Sequence, residues 1–207
     1  MKTSKKNPLI ISLIGPPGCG KGTQADLLTD KFKFYYIGSG EMLRARVKNE
    51  NDFTARKIKS CLDQGQRVAS SVVMTMWINR LEEIKNKRGN HFPGAIIDGS
   101  PRTPLEGKML EEALYWYEWD NFKALFININ FEESKKRLLS KYQGRGRADD
   151  NIEDLKARWD WYKKEVLPTI EYFRSHHNLI EIDGQQSVKE VYQSIVEALR
   201  LDDNDKE

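Results

Sequence analysis

The 207-residue sequence predicts an α/β fold in which a five-stranded parallel sheet lies between two layers of helices. Five short apolar runs are each bounded by turn residues, as buried strands are, and helical patterns separate them. The length of the chain is that of one domain with a substantial core. The five runs are residues 9–14, 34–37, 95–97, 124–129 and 179–182.

Helices are predicted between these runs. Residues 22–32 follow the first run directly, and residues 41–48 lie between the second and the third. A long helix is predicted over residues 151–175, because its apolar residues recur at every third or fourth position. Asp150 resembles the first residue of a capping box for this helix, and Pro168 is expected to bend it, since proline removes an internal hydrogen bond.

Two segments interrupt the alternation of strands and helices. Residues 39–73 are polar and helical and separate the second run from the third. Residues 140–150 are rich in glycine and arginine. Segments inserted between core strands are typical places for gripping a substrate. The chain is therefore predicted to be one domain over residues 1–207, with a core formed by residues 8–38, 74–139 and 151–200.

The composition argues against several classes of protein. The 34 basic and 31 acidic residues give a net charge of +3, which is too small to predict a nucleic-acid partner. No stretch approaches the roughly 20 apolar residues of a membrane span. The two cysteines, Cys19 and Cys61, form no CxxC pair, which argues against a cysteine-based zinc site and suits a reducing cytosol. We expect a cytoplasmic protein without membrane or nucleic-acid partners.

A glycine-rich loop follows the first predicted strand and leads directly into a helix. Its glycines let backbone N–H groups converge on a phosphate, and the helix N-terminus adds a positive field. Lys21 brings a mobile charge to the β- and γ-phosphates of a nucleoside triphosphate. Both the spacing and the strand–loop–helix context are those of a P-loop. The loop comprises Gly15, Pro16, Pro17, Gly18, Cys19, Gly20, Lys21, Gly22 and Thr23.

Two residues are candidates for holding Mg²⁺. The position after the lysine, where a P-loop usually has Ser or Thr, is Gly22, so the hydroxyl would come from Thr23 or act through water. Asp98 ends the third apolar run, where a carboxylate beside a P-loop can order the water shell of Mg²⁺. The alternative role for Asp98 is that of a turn or helix-cap residue.

A second phosphate site is predicted at the ends of the second and third runs. Arg44 follows Ser39 and Gly40, and Arg102 follows Gly99. Ligands collect at the carboxyl ends of parallel strands, and arginine binds phosphate oxygens through two parallel hydrogen bonds. Either arginine alone would more often be a surface charge. As a pair at adjacent strand ends, they indicate a phosphorylated acceptor.

Basic residues are also concentrated between residues 137 and 158. Arg145 and Arg147 alternate with glycines, and Arg158 lies beside the apolar face of the long helix, from which it can reach inward. Cations on a segment that closes over a site stabilise the negative charge of a migrating phosphoryl group. The alternative is an exposed basic loop that contacts nucleic acid.

Together these residues resemble the adenylate kinase family of nucleoside monophosphate (NMP) kinases. The resemblance runs from residue 9 to about residue 199. It implies a P-loop NTPase-type three-layer fold, with residues 39–73 as a helical NMP-binding lobe and residues 140–150 as a short lid that lacks zinc ligands. The motifs that carry it are Gly15 to Gln24, Asp98-Gly-Ser-Pro-Arg102, and Arg147-Ala-Asp-Asp150 with Arg158.

The resemblance also implies roles for individual residues. Lys21 would stabilise the transferring phosphoryl group, and Arg137 would lie against the adenine of ATP. The catalytic residues would be Lys21, Arg102, Arg147 and Arg158. The ATP-binding residues would be Gly15, Pro16, Gly18, Cys19, Gly20, Lys21, Gly22, Thr23, Arg137 and Gln185. The NMP-binding residues would be Ser39, Gly40, Arg44, Val68, Gly99, Arg102, Glu106, Arg147 and Arg158.

The sequence departs from the family pattern at several of these positions. Val68-Ala69-Ser70 replaces the usual Val-Pro-Asp at the end of the lobe, and Ser100 replaces an aromatic residue. The largest departure is Glu106, where the family usually has glutamine. An ionised carboxylate only accepts hydrogen bonds, so it cannot donate to N1 of adenine, whereas guanine presents two donors. We therefore expect Glu106 to weaken the selectivity for adenine.

The predicted activity is Mg²⁺-dependent, reversible transfer of the γ-phosphoryl of ATP to AMP, giving two ADP. One alternative is an NMP kinase with a relaxed or non-adenine preference, acting on GMP, CMP or UMP. Others are a P-loop kinase for another small acceptor and a nucleotide-binding regulator that has lost catalysis. Retention of Lys21, Asp98, Arg147 and Arg158 argues against the regulator. Short-lid members mostly act as monomers, so a monomer is expected.

Overall fold

The computed structural model describes residues 7–141 and 152–201. Its strands are β1 (Leu9–Ile14), β2 (Tyr35–Gly38), β3 (Gly94–Asp98), β4 (Phe122–Asn128) and β5 (Leu179–Asp183). They form one sheet in the order β2-β3-β1-β4-β5, and every neighbouring pair is parallel. The predicted α/β fold with a five-stranded parallel sheet is confirmed, and each predicted run overlaps its strand.

Helices connect the strands. In the described part of the chain they are α1 (Lys21–Phe32), α2 (Ser39–Asn49), α3 (Phe53–Asp63), α4 (Ser70–Arg88), α5 (Pro104–Trp116), α6 (Phe131–Lys141), α7 (Ile152–Trp161), α8 (Leu167–Ser175) and α9 (Val188–Ala198). A π-helical turn, Tyr162–Val166, joins α7 to α8. No helix within the described residues is both long enough and apolar enough to cross a bilayer.

Alternate side chains of β1 pack on opposite faces of the sheet. Ile10 and Ile14 belong to an apolar cluster with residues of α4, α5, α7 and α8. Ile11 and Leu13 belong to a second cluster with residues of α1 and α9. All six residues of β1 are buried, because helices cover the sheet on both faces. The fold is therefore the predicted three-layer arrangement.

The predicted long helix is interrupted. Residues 152–175 form α7, the π-helical turn and α8, with Pro168 in the first turn of α8. Proline cannot donate a hydrogen bond to the preceding turn, and a π-helical turn is one way in which a helix accommodates that loss. The predicted capping residue Asp150 lies outside the described residues.

Residues 39–73 form α2, α3 and the first turn of α4. Leu43, Ile58 and Val68 make a small apolar cluster of their own, separate from the two sheet clusters. The predicted border at residue 73 falls inside α4, which begins at Ser70 and continues over the sheet. Most of the predicted short lid lies outside the described residues.

The carboxyl ends of β1, β2 and β3 lie side by side. In the strand register, Asp98 of β3 is level with Leu13 of β1 and with Gly38 of β2. The glycine-rich loop, the start of α2 and the Gly99–Arg102 turn therefore leave the sheet from one edge. This edge is where a parallel sheet places its ligands.

Candidate active site

The glycine-rich loop joins β1 to α1, and three of its glycines, Gly15, Gly18 and Gly20, cannot be replaced without strain. A Cβ at Gly15 would lie 2.5 Å from the carbonyl oxygen of Ile127. Gly20 is the N-cap of α1 and has φ 97°, in the left-handed region that favours glycine. A Cβ there would meet nothing within 4 Å. The backbone at the start of α1 therefore borders open space, as an anion site at a helix N-terminus requires.

The ammonium group of Lys21 folds back over this loop. Its Nζ donates to the carbonyl oxygens of Gly15 (2.8 Å) and Pro16 (3.2 Å) and lies 3.4 Å from Sγ of Cys19. Cys19 is a free thiol and is only 2% exposed. All three contacts belong to the loop itself, so Lys21 supports the loop's shape while its charge stays beside the helix N-terminus.

Ser134 ties the loop to α6. Its hydroxyl is fully buried and donates to the carbonyl oxygen of Pro17 at 2.6 Å. A single serine among charged and apolar residues of a helix gives no sequence signal for this role, which depends on the packing of α6 against the loop.

A cavity of about 400 Å³ lies between the loop, α6 and the segment that follows β5. Arg137 is held there by an ion pair with Glu133 (2.6 Å) and donates to the carbonyl oxygen of Gln186 (3.3 Å). The side-chain oxygen of Gln185 accepts from Asn130 at 2.7 Å. The cavity thus brings part of the loop together with Arg137 and Gln185, the two residues outside the loop that were predicted to bind ATP. Its lining includes Gly18, Cys19, Gly20, Thr23, Gln24, Arg137, Gln185 and Val188.

Asp98 ends β3 beside the loop, and its carboxylate accepts a hydrogen bond from the hydroxyl of Tyr36 at 3.1 Å. Burial, followed by the charge of Asp98, raises the pKa of Tyr36, so the phenol stays protonated and keeps donating at physiological pH. The Tyr36 ring also fills the space above Gly38, where a Cβ would lie 2.6 Å from a ring carbon. Asp98 therefore has an oriented carboxylate that helix capping does not explain.

A smaller cavity of about 30 Å³ lies between α2, α4, α5 and the turn that follows β3. Ser39 is only 2% exposed, and its hydroxyl donates to Oγ of Ser100 at 2.8 Å. Of the nine residues predicted to bind a monophosphate, five line this cavity, Gly40, Arg44 and Arg158 do not, and Arg147 lies outside the described residues. The complete lining is Ser39, Leu43, Arg67, Val68, Val73, Gly99, Arg102 and Glu106.

Arg102 is positioned through three different groups. Its Nε donates to the carbonyl oxygen of Gly99 at 2.6 Å, and its guanidinium lies 5.5 Å from the ring centre of Trp161. Its backbone N–H donates to the carboxylate of Glu106 at 2.7 Å. The guanidinium is thus stacked and partly satisfied, while the side chain remains solvent-exposed at the cavity.

Positive charge gathers around Arg102. The surrounding protein removes water from the guanidinium of Arg102, and this desolvation lowers its pKa. The positive charges of Arg67 and Arg158 lower the pKa further. Glu106 and Asp98 act in the opposite direction. The guanidinium remains protonated, because arginine does not lose its proton in proteins. Arg102 after β3, Arg67 before α4 and Arg158 on α7 thus concentrate positive charge at one point, where an anion is favoured.

Arg44 lies on the exposed side of α2. Its guanidinium is close to Gly40, where a Cβ would be 3.2 Å from Nη1. Within residues 7–141 and 152–201, no carboxylate forms an ion pair with Arg44. The predicted catalytic residue Arg147 lies outside the described residues, so its role together with Arg158 stays a prediction.

Glu106 is 2% exposed in the first turn of α5. Its carboxylate forms an ion pair with Arg67 at 2.8 Å and accepts from Ser70 at 2.6 Å. Sequence reasoning missed Arg67, as it missed Tyr36 and the contact of Trp161 with Arg102. The sequence offered one hint of Arg67, the acid in place of glutamine at position 106. The structure shows that this acid is buried, and a buried charge requires a partner of opposite charge.

Comparison with known proteins identifies the family. The family model described as adenylate kinase matches residues 13–178. The adenylate kinase of Leptospira biflexa is 36% identical, over 90% of this chain and 97% of the relative. The adenylate kinase of Chlamydia trachomatis serovar L2 is 31% identical, over 94% of this chain and 91% of the relative. The chain belongs to the adenylate kinase family.

Membership of the adenylate kinase family makes the chain a phosphotransferase, with ATP and a nucleoside monophosphate as its substrates. The two cavities are consistent with a site for each substrate. One borders the glycine-rich loop, and the other contains Arg102 and the acid that replaces the family's usual glutamine.

Proposed function

We propose that the chain catalyses reversible, Mg²⁺-dependent transfer of the γ-phosphoryl of ATP to AMP, giving two ADP. The observation that carries the proposal is the adjacency of two phosphate-binding arrangements. The glycine-rich loop follows β1, Arg102 follows β3, and these strands are neighbours in the sheet. A triphosphate on the loop would point its terminal group toward a monophosphate held at Arg102.

The reaction needs alignment and charge stabilisation more than proton transfer. An oxygen of the AMP phosphate attacks the γ-phosphorus, and the bond from that phosphorus to the β–γ bridging oxygen breaks. Lys21 would follow the charge that develops on the β- and γ-oxygens, while Arg102 and Arg158 neutralise the acceptor and the migrating group. No side chain has to act as a base, because the acceptor phosphate is already anionic near neutral pH.

The residues around Asp98 suit Mg²⁺ as a cofactor held mainly by the nucleotide. Magnesium prefers oxygen ligands and keeps several waters. Asp98 would orient those waters, and Thr23 would supply a hydroxyl oxygen. No cluster of three or more His, Cys, Asp or Glu side chains that could hold a metal occurs among the described residues. When bound, Mg²⁺ would neutralise phosphate charge during transfer.

The activity is tested directly by mixing the purified chain with ATP, Mg²⁺ and AMP and following all nucleotides by chromatography. Two ADP should appear for each ATP consumed, and ADP alone should return ATP and AMP. ATP hydrolysis without consumption of AMP would contradict the proposal. So would tight ATP binding without turnover of any monophosphate, which would indicate the regulatory alternative.

The hydrogen bond from Tyr36 to Asp98 predicts a change in the requirement for Mg²⁺. In Tyr36→Phe, we expect the half-maximal Mg²⁺ concentration to rise about fivefold, because one hydrogen bond that orients the carboxylate is worth about 1 kcal/mol. Initial rates over a Mg²⁺ series at saturating nucleotide measure it. Tyr35→Phe is the matched control, since the Tyr35 hydroxyl instead accepts from Arg88. An unchanged Mg²⁺ dependence in Tyr36→Phe would show that Tyr36 only packs over Gly38.

We further propose that the enzyme acts as a monomer in the cytoplasm. Both cysteines are free thiols, which supports a reducing compartment. Light scattering after size-exclusion chromatography gives the mass, with 24.1 kDa expected for one chain. A mass of two chains that persists on dilution would contradict the monomer.

A further inference from the structure

The carboxylate of Glu106 has almost no hydrogen-bonding capacity left for a substrate. One oxygen, Oε1, accepts from Nη2 of Arg67 at 2.8 Å and from the hydroxyl of Ser70 at 2.6 Å. The other, Oε2, accepts from the backbone N–H of Arg102 at 2.7 Å. A carboxylate offers about four lone-pair sites. One acceptor site therefore remains, on Oε2.

This count alters what Glu106 can recognise. To accept from both N1–H and N2–H₂ of guanine, the side chain would need two acceptor sites facing the base. With Oε1 occupied by Arg67 and Ser70, only one is available. A base that presents a single donor between acceptors fits this arrangement better.

Arg67 supplies the donors that a carboxylate lacks. It lines the same cavity as Glu106, and 30% of its side chain is exposed. Its Nη2 is directed at Glu106 and Ser70, whereas its Nη1 is 3.6 Å from Glu165, beyond hydrogen-bond length. A guanidinium has five N–H donors, so several remain for a ligand.

We propose that Arg67 and Glu106 read the acceptor base together, and that the base is adenine. Oε2 of Glu106 accepts from the exocyclic amino group, and Arg67 donates to the ring nitrogen beside it. The ion pair thus performs the two functions of the family's glutamine amide with two side chains. This inference rests on the proposed function, in which a monophosphate occupies the cavity.

Adenine suits the pair in either orientation. Its amino group is flanked by acceptors on both sides, N1 and N7, so a donor next to the Glu106 acceptor always finds a partner. On its Watson–Crick edge guanine fits in one orientation only, with O6 toward Arg67 and N1–H toward Glu106. The N2 amino group of guanine is then left without an acceptor. A site that leaves a polar group unpaired binds that base more weakly.

The competing explanation is that the ion pair between Arg67 and Glu106 only holds residues 39–73, the predicted lobe, against the core. Arg67 lies between α3 and α4, whereas Glu106 belongs to α5, so the ion pair does cross that border. A fastening role predicts equal effects on every acceptor base. A reading role predicts effects that depend on the base, and the two are therefore separable by kinetics.

The experiment compares Arg67→Met, Glu106→Gln and the double variant with the unmodified enzyme. The readout is kcat/KM for AMP and for GMP at saturating ATP, with thermal unfolding of each protein alongside. We expect each single change to reduce the AMP-to-GMP ratio of kcat/KM about tenfold or more, mainly through KM for AMP. Arg67→Met removes the donor to the ring nitrogen. In Glu106→Gln, Arg67 and Ser70 hold the amide oxygen, so the amide N–H₂ replaces the acceptor that the amino group of adenine needs. Arg56→Met is the matched control, because Arg56 is an exposed lobe residue outside the cavity.

The double variant keeps the test decisive if a single variant is unstable. Arg67→Met alone leaves a buried carboxylate without its cation, which can unfold the protein. The double variant is free of that charge, and the amide introduced by Glu106→Gln can both donate and accept. Its AMP-to-GMP ratio should therefore return to within about threefold of the unmodified enzyme. A double variant as poorly selective as the single ones would overturn the proposal.

Failure of this inference is distinguishable from failure of the proposed function. If the unmodified enzyme phosphorylates no monophosphate, the proposed function itself is wrong. If it phosphorylates AMP but the AMP-to-GMP ratio stays within twofold in both single variants, only the reading role of the pair is wrong. A preference of the unmodified enzyme for GMP would likewise overturn the assignment of adenine.

Discussion

Replacing Lys21 by methionine is expected to lower kcat about 10³-fold, the scale on which a preorganised donor to a transition-state charge acts. The ammonium group lies over the glycine-rich loop and can move from the Gly15 and Pro16 carbonyl oxygens onto the β- and γ-phosphates. Methionine has a similar length but no charge. The binding of ATP should change far less than the rate, because the backbone N–H groups and the helix N-terminus remain.

The measurements are single-turnover rates and the dissociation constant of ATP for the same protein. Lys33→Met is the matched control, since Lys33 is the C-cap of the same helix and its exposed ammonium group donates to the nearby Asp30 carbonyl oxygen. If Lys21→Met loses ATP binding as completely as it loses turnover, the lysine acts through the loop's shape. If its kcat is unchanged, Lys21 has no role in transfer.

The sequence was sufficient for the fold because the decisive signals are local. The first apolar run coincides with β1, and the other runs miss their strand ends by one or two residues. Buried parallel strands are short and continuously apolar, so each one can be recognised in isolation. The glycine-rich loop was equally readable, since its conformation requires glycines at fixed spacings and its neighbours are a strand and a helix.

The parts of the site that escaped prediction depend on contacts between distant segments. Arg67 and Glu106 are separated by 39 positions, and Tyr36 and Asp98 by 62. No periodicity or local spacing links such pairs. The π-helical turn before Pro168 escaped for a different reason, because a proline is compatible with several ways of rearranging a helix.

The neighbours of Glu106 change which hydrogen bonds its carboxylate can offer to a base. Considered alone, an acid in place of glutamine suggested weaker recognition of adenine. With Arg67 and Ser70 on one of its oxygens, the same acid becomes half of a donor–acceptor pair. A hydrogen-bonding group has to be judged by the sites that its neighbours leave open.

Changing Arg102 to lysine is expected to lower kcat/KM for AMP about 10²-fold while KM for ATP changes little. Lysine keeps the positive charge, so the loss of kcat/KM would measure how much the planar shape and the position of the guanidinium contribute. Arg102 reaches its position through the Gly99 carbonyl oxygen and the face of Trp161. A lysine has no planar fork for a phosphate and stacks less well on an indole, so it would bind the monophosphate as a loose point charge.

Initial-rate kinetics with each substrate varied in turn provide the measurement. Arg88→Lys is a suitable control, because Arg88 is an exposed arginine whose Nε donates to the Tyr35 hydroxyl, away from both cavities. A rise in KM for ATP equal to that for AMP would place Arg102 between the nucleotides rather than on the acceptor. Unchanged kinetics would remove Arg102 from the acceptor site, and that site would then depend on Arg44 and Arg158. Because the backbone N–H of Arg102 still donates to Glu106 in the variant, selectivity between AMP and GMP should survive even as the rate falls.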